Sequence, residues 1–183
     1  MAYDSLNDFV ERLDAAGELV RVTAPVSPVL EMTEIVDRVS KGPPAQNKAL
    51  LFENVPGHEM PVLLNMFGSA RRMAWALGVD DLDELGENLG ALLDLRPPSS
   101  LGETIGRGRD LVRALRNAGI KPRRVRRAPV QAHVTTKDVS LDEIPILTCW
   151  PKDGGPFVTL PQVVTRDPVK GTRNVGMYRL QQV

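Results

Sequence analysis

Residues 156–183, PFVTLPQVVTRDPVKGTRNVGMYRLQQV, decide how this 183-residue chain folds. PFVTLPQVVTRD (156–167) and RNVGMYRLQQV (173–183) are rich in β-branched and apolar residues, the composition of strands. Between them, RDPVKGTRN supplies the Pro and Gly of a hairpin loop. With VQAHVTT (130–136) read as a further strand, a β domain is expected to start near residue 128. Its few strands leave edges without partners, so an incomplete β unit is expected within this chain. In RNVGMYR, alternation puts Asn174, Gly176 and Tyr178 on one face and Val175, Met177 and Arg179 on the other. A mid-strand glycine such as Gly176 marks a bulge or the close approach of another molecule. An Asn carbonyl suits a hard cation, and an Arg clamps carboxylates bidentately. Periodicity alone reads both equally well as ordinary strand polars.

Working backwards, the character changes. RPPSSLGETIG (96–106) is a Pro-, Ser- and Gly-rich break, followed by the basic helix pattern RDLVRALRNAG (109–119) and the tract IKPRRVRRAPV (120–130). Before the break, helical and strand patterns alternate. SLNDFVERLDAAG (5–17), EMTEIVDRVSKG (31–42), SARRMAWALGV (69–79) and DLDELGENLGALLDL (81–95) read as helices, with Ser5 and Ser69 as caps and Gly17 and Gly42 as stops. ELVRVTAPV (18–26), KALLFENV (48–55) and MPVLLNMF (60–67) read as strands. The organisation expected is an α/β domain over 1–106, a basic helix and linker over 107–128, and an incomplete β domain over 129–183.

Charge is split along the chain. Residues 1–106 carry 8 basic and 17 acidic side chains, and residues 107–183 carry 15 and 6, so the zero net charge conceals two differently built parts. Nine basic residues against one acid between Arg107 and Arg127 raise a nucleic-acid reading. The interleaved aromatics that stack bases are absent there, so a solvated face, or one paired with the acidic half, accounts for it better. No apolar run reaches the ~20 residues of a membrane span. The acidic, amphipathic start is that of neither a secretory signal nor a transit peptide. A single cysteine, Cys149, excludes an internal disulfide, and an intracellular, cytoplasmic location is expected.

Other candidate chemistry is weaker. GETIGRGRD (102–110) follows no strand and fails the context of a dinucleotide loop. His58 in a turn and His133 in an expected strand are too far apart in sequence to suggest a shared metal. Cys149 lacks a basic neighbour and reads as a packing thiol. In TCWPKDGGPFVTLP (148–161), the Asp153–Pro156 loop reads either as a backbone cradle for an anion or cofactor, or as a plain hairpin connection.

TCWPKDGGPFVTLPQVVTRDPVKGTRNVGMYRLQ (148–181) resembles the corresponding stretch of the UbiD family of reversible decarboxylases. LLFENVPGH, PVLLNMFGSARRMAWALGV and EIPILTCWP agree, so the resemblance runs from about Leu6 to Gln181. It implies an α/β N-terminal domain followed by the first strands of a split β-barrel flavin-binding domain. The implied cofactors are prenylated FMN, a divalent metal such as Mn2+, and K+. The implied reaction is non-oxidative decarboxylation of an aromatic, heteroaromatic or α,β-unsaturated acid by a cytoplasmic protein that is homo-oligomeric at full length. Position by position, Asn174 resembles a metal ligand and Arg179 the Arg that contacts the substrate carboxylate. Thr159, Val175, Gly176, Met177 and Arg179 fall where the family lines its cofactor, which would give Gly176 its reason. The family's remaining ligands, its catalytic glutamates and its oligomerisation domain match nothing here. The resemblance therefore implies an N-terminal fragment, inactive alone. Two other readings remain: a non-catalytic subunit that completes a partner's site, and a half-barrel binding ordinary FMN.

Overall fold

The computed structural model describes residues 3–86, 126 and 128–183. Two compact units divide the chain, Met1–Gly78 together with Ser140–Val183, and Val79–Val139. The fold is mixed α+β, as expected. The helix pattern over 109–119, most of that over 81–95 and the basic tract apart from Arg126 lie outside the described residues. Among the described residues no helix is long and apolar enough to cross a membrane.

In the first unit, helix α1 (Leu6–Ala15) starts at a capping box: Ser5 Oγ accepts from the Asp8 N–H, and the Asp8 carboxylate accepts from the Ser5 N–H. Gly17, at φ 66°, turns the chain into strand β1 (Leu19–Val22). Helix α2 (Glu31–Lys41) is the crossover that lets β1 pair in parallel with β2 (Ala49–Phe52). Strand β3 (Val62–Leu64) adds antiparallel, giving the order β1-β2-β3, and helix α3 (Ala70–Leu77) follows under a Ser69 cap. Alternation along β2 sends its side chains to two cores. Ala49 packs with Phe9 and Leu13 of α1, flanked by Trp75 and Ala76 of α3. Leu50 and Phe52 pack with Val26, Met32, Val55 and Leu147, flanked by Ile35, Val36 and Val39 of α2.

The junction between these elements is polar. Arg72 is fully buried and donates to Glu18 Oε2 (2.9 Å), Asn47 O (2.6 Å), Asn47 Oδ1 (2.9 Å) and Asn65 O (3.2 Å). Asn65 Nδ2 donates to Asn47 Oδ1 and Lys48 O, both at 2.8 Å, and Asn47 Nδ2 donates to Gly68 O at 2.9 Å. Asn65 reaches these partners from a left-handed conformation, φ 55°, which ends β3 earlier than MPVLLNMF suggests. Gly68 lies so close to the Asn65 amide that a Cβ there collides with it.

Leu147 carries the C-terminal segment into the α2-side core. The Leu30 N–H donates to Thr148 O (2.9 Å) and the Thr148 N–H to Pro28 O (3.2 Å), so residues 147–149 lie beside the loop that enters α2. The Phe157 N–H donates to Leu147 O (2.8 Å). Strand β4 (Phe157–Val158) then pairs antiparallel with β7 (Leu180–Gln181), while β5 (Gln162–Arg166) and β6 (Arg173–Met177) form a separate hairpin.

Two strand expectations are corrected. PFVTLPQVVTRD is two strands, because Pro161 has no N–H to give a ladder and the chain breaks at Leu160–Pro161. VQAHVTT is no strand: Pro129 opens a short 3-10 turn, Pro129–Gln131, and bends follow at Ala132 and His133. His133 and Val134 are exposed, so this segment has no buried face to hold it extended.

Arg72→Met leaves Glu18 short of its buried partner, and we expect a loss of roughly 3–5 kcal/mol of stability. The check is the denaturant midpoint at constant slope. Burial pushes the Glu18 carboxyl up, but hydrogen bonds from Lys48 and Arg72 outweigh it and hold its pKa below the usual 4.5. Its contribution is therefore complete above that value and is lost as pH falls through the depressed pKa. Unfolding measured from pH 7 to 3 should show this loss, and Glu18→Gln should remove it.

Candidate active site

The β5–β6 hairpin presents the polar and glycine positions singled out from sequence. Its register sets Thr165 opposite Asn174, Val164 opposite Val175, Val163 opposite Gly176 and Gln162 opposite Met177. The loop is closed by Asp167, whose Oδ1 accepts from the Lys170 (2.8 Å) and Val169 (2.7 Å) N–H groups. Those two bonds hold the Asp167 carboxyl below its usual range. Gly171, at φ 68°, donates its N–H back to Asp167 O.

Asn174, Gly176 and Tyr178 do share a face. The Tyr178 ring folds back over Gly176, and its hydroxyl lies 3.5 Å from Asn174 Nδ2. A Cβ on Gly176 would sit 2.5 Å from Tyr178 Cε2. A side chain at this position would therefore collide with the Tyr178 ring. Val175 and Met177 are exposed, and with Val164 they leave an apolar strip on the hairpin.

Strand β6 ends at Met177, so Tyr178 and Arg179 lie in the two-residue link to β7. The Arg179 guanidinium stacks on the ring of Phe157, 4.2 Å from Cζ to the centroid. Among the described residues Arg179 makes no ion pair. Thr159 is exposed, one residue past β4. Thr159 and Arg179 thus flank the β4–β7 pair, while Asn174, Val175, Gly176 and Met177 lie on β6.

The DGG loop has a structural explanation. The Trp150 N–H donates to Asp153 Oδ2 and the Asp153 N–H to Trp150 O, each at 3.0 Å, closing a turn. A Cβ on Gly155 would lie 3.0 Å from Gln182 O, and one on Gly154 would lie 2.9 Å from Gln181 Nε2. Both glycines therefore make room for the chain at β7. Cys149 is half-buried against the α2-side core, where a packing thiol belongs. Among the described residues no three His, Cys, Asp or Glu side chains group as a metal site. Asn174 offers a single oxygen.

Sequence reasoning singled out neither Phe157 nor the ring placement of Tyr178. Phe157 is apolar in a strand and carries no chemical signal alone. It becomes significant through the register that sets Phe157 opposite Gln181, two residues beyond Arg179.

Two family models match the chain: the 3-octaprenyl-4-hydroxybenzoate carboxy-lyase N-terminal domain over residues 10–89 and the Rift-related domain of the same carboxy-lyase over residues 123–183. An uncharacterized protein of Aquifex aeolicus is 46% identical over 179 residues, covering 98% of this chain and 36% of its own length. One of Archaeoglobus fulgidus is 45% identical over 183 residues, covering 99% and 36%. The chain thus spans about a third of the length of these relatives. Solved structures agree. The UbiD-class enzyme HmfF from Pelotomaculum thermopropionicum, in complex with FMN, matches with a TM-score of 0.67 at 26% identity, over 96% of this chain and 34% of that one. The vanillic acid decarboxylase of Sedimentibacter hydroxybenzoicus, in closed form, matches with a TM-score of 0.73 at 28% identity, over 99% and 35%.

Proposed function

Because the chain belongs to the UbiD family of carboxy-lyases, we propose that it is the N-terminal portion of a prenylated-FMN-dependent decarboxylase. Its substrate is an aromatic, heteroaromatic or α,β-unsaturated carboxylic acid. The observation that carries this reading is Arg179, exposed, stacked on Phe157 and without a carboxylate partner among the described residues, two residues along the chain from the exposed Met177 of β6. An arginine so placed is free to take a substrate carboxylate through two parallel N–H bonds. Relatives of known structure support a flavin: HmfF is described with FMN and, in an evolved dimeric form, with prenylated FMN.

The residues present fit such a group. Val175 and Met177 offer an exposed apolar surface to a planar ring, with Thr159 and Arg179 at the neighbouring ladder. When bound, the flavin supplies an electron sink for the pair left behind as CO2 departs. The chain's own contribution is to bind and orient: Arg179 holds the carboxylate, and the strip shields one side of the ring from water. A divalent ion is another matter. Asn174 supplies one oxygen donor toward a divalent ion, and among the described residues no three His, Cys, Asp or Glu side chains group to complete its shell, so no step is assigned to a metal.

The test uses the full-length polypeptide loaded with prenylated FMN, assayed for CO2 release from aromatic and unsaturated acids. Arg179→Ala is expected to abolish release, a fall of at least about a hundredfold, while the flavin absorbance is retained. Undiminished release by this variant contradicts the role given to Arg179. Asn174→Ala, which removes the oxygen donor offered to a divalent ion, is expected to weaken metal and flavin retention together, read as metal and flavin lost on gel filtration.

A further inference from the structure

We propose that Phe157 is a positioning residue for Arg179, holding its guanidinium on the aromatic face so that the site meets a carboxylate with its arginine already placed. This deepens the decarboxylase reading and rests on it.

The arrangement follows from one short ladder. Phe157 pairs with Gln181 and Val158 with Leu180. Alternation puts Arg179 on the same side as Gln181, so Arg179 is the diagonal neighbour of Phe157, within reach for a long side chain meeting an aromatic one. The stacking distance of 4.2 Å lies well inside the range of a cation–π contact.

The ring is itself anchored. Its backbone N–H bonds Leu147 O at 2.8 Å, and Leu147 is 7% exposed in the α2-side core. Leu147 continues into Thr148, which is bonded on both sides to the segment entering α2. A continuous line of backbone bonds therefore runs from the N-terminal core to the face on which the guanidinium rests. Arg179 is exposed and makes no ion pair among the described residues, and its guanidinium rests on the Phe157 ring. Stacking engages the π-face of the cation and leaves N–H donors at its edge for a carboxylate. A side chain ordered beforehand loses less freedom when its ligand arrives.

The experiment is equilibrium binding of benzoate to the full-length, flavin-loaded protein, with benzamide as the uncharged control. Phe157→Leu should weaken benzoate binding roughly threefold to tenfold. Phe157→Tyr, which keeps the ring, should restore it, and benzamide binding should be unchanged. In an Arg179→Ala background the effect of Phe157→Leu should vanish, the non-additivity expected of a direct pair. Where Phe157→Leu fails to fold, Phe157→pentafluoro-Phe keeps the shape, reverses the ring's electrostatics and should give the same weakening. Unchanged benzoate affinity in Phe157→Leu or Phe157→pentafluoro-Phe overturns the proposal. So does an equal loss for benzamide or in the Arg179→Ala background, since either reports packing alone. Benzoate affinity undiminished by Arg179→Ala contradicts the role given to Arg179 in the decarboxylase reading, and the proposal falls with it.

Discussion

A buried arginine organises the first unit of this protein. Arg72 joins the start of β1 through Glu18, the start of β2 through Asn47, the end of β3 through Asn65 and, by its own position, the first turn of α3. A guanidinium carries five donors in a fixed fork, so it can satisfy several strand-end acceptors at once where a lysine cannot. Its one buried donor without a partner is Nε. Burying this charge is costly, and the arrangement holds because Glu18 is beside it and oxygens of Asn47 and Asn65 accept from its two terminal nitrogens. The apolar faces of β2 supply the driving force, while this junction fixes how the elements meet.

From that junction the C-terminal segment inherits its position. β2 carries Leu50 and Phe52 into the same core as Leu147, and Leu147 hands its carbonyl to Phe157. Phe157 then supports Arg179 through its ring, and β7 through its backbone. The hairpin of β5 and β6 hangs from this ladder with its apolar residues exposed. Packing quality thus falls along the chain, from a buried polar hub to an open strand pair, and the positions assigned to chemistry lie at the open end. That gradient matches the division of labour expected between a rigid scaffold and a site that must admit a ligand.

Much of this was legible in the sequence. The caps Ser5 and Ser69 and the stop glycines Gly17 and Gly42 set helix limits, and the β5–β6 hairpin announced itself through Pro168 and Gly171. Family membership was legible too, because ordered motifs carry far more information than any single spacing. What escaped depended on partners distant in sequence. A propensity reading makes VQAHVTT a strand, since only the missing buried face distinguishes it from one. Nor does spacing show that the Tyr178 ring, two residues on, lies against Gly176. Nothing local marks Arg72 as buried within an otherwise exposed-looking ARRMAW, because its acceptors come from three separate segments.

On the proposed reading, this chain forms part of a site at which the carboxyl group of an unsaturated acid leaves and returns. The most direct measurement is exchange of 13C-bicarbonate into the carboxyl groups of hydroxybenzoic, cinnamic and heteroaromatic acids, using the full-length protein loaded with prenylated FMN. Label is expected in at least one of these acids and in none without the flavin. Absence of label from every class, in a protein that retains its flavin, would contradict it.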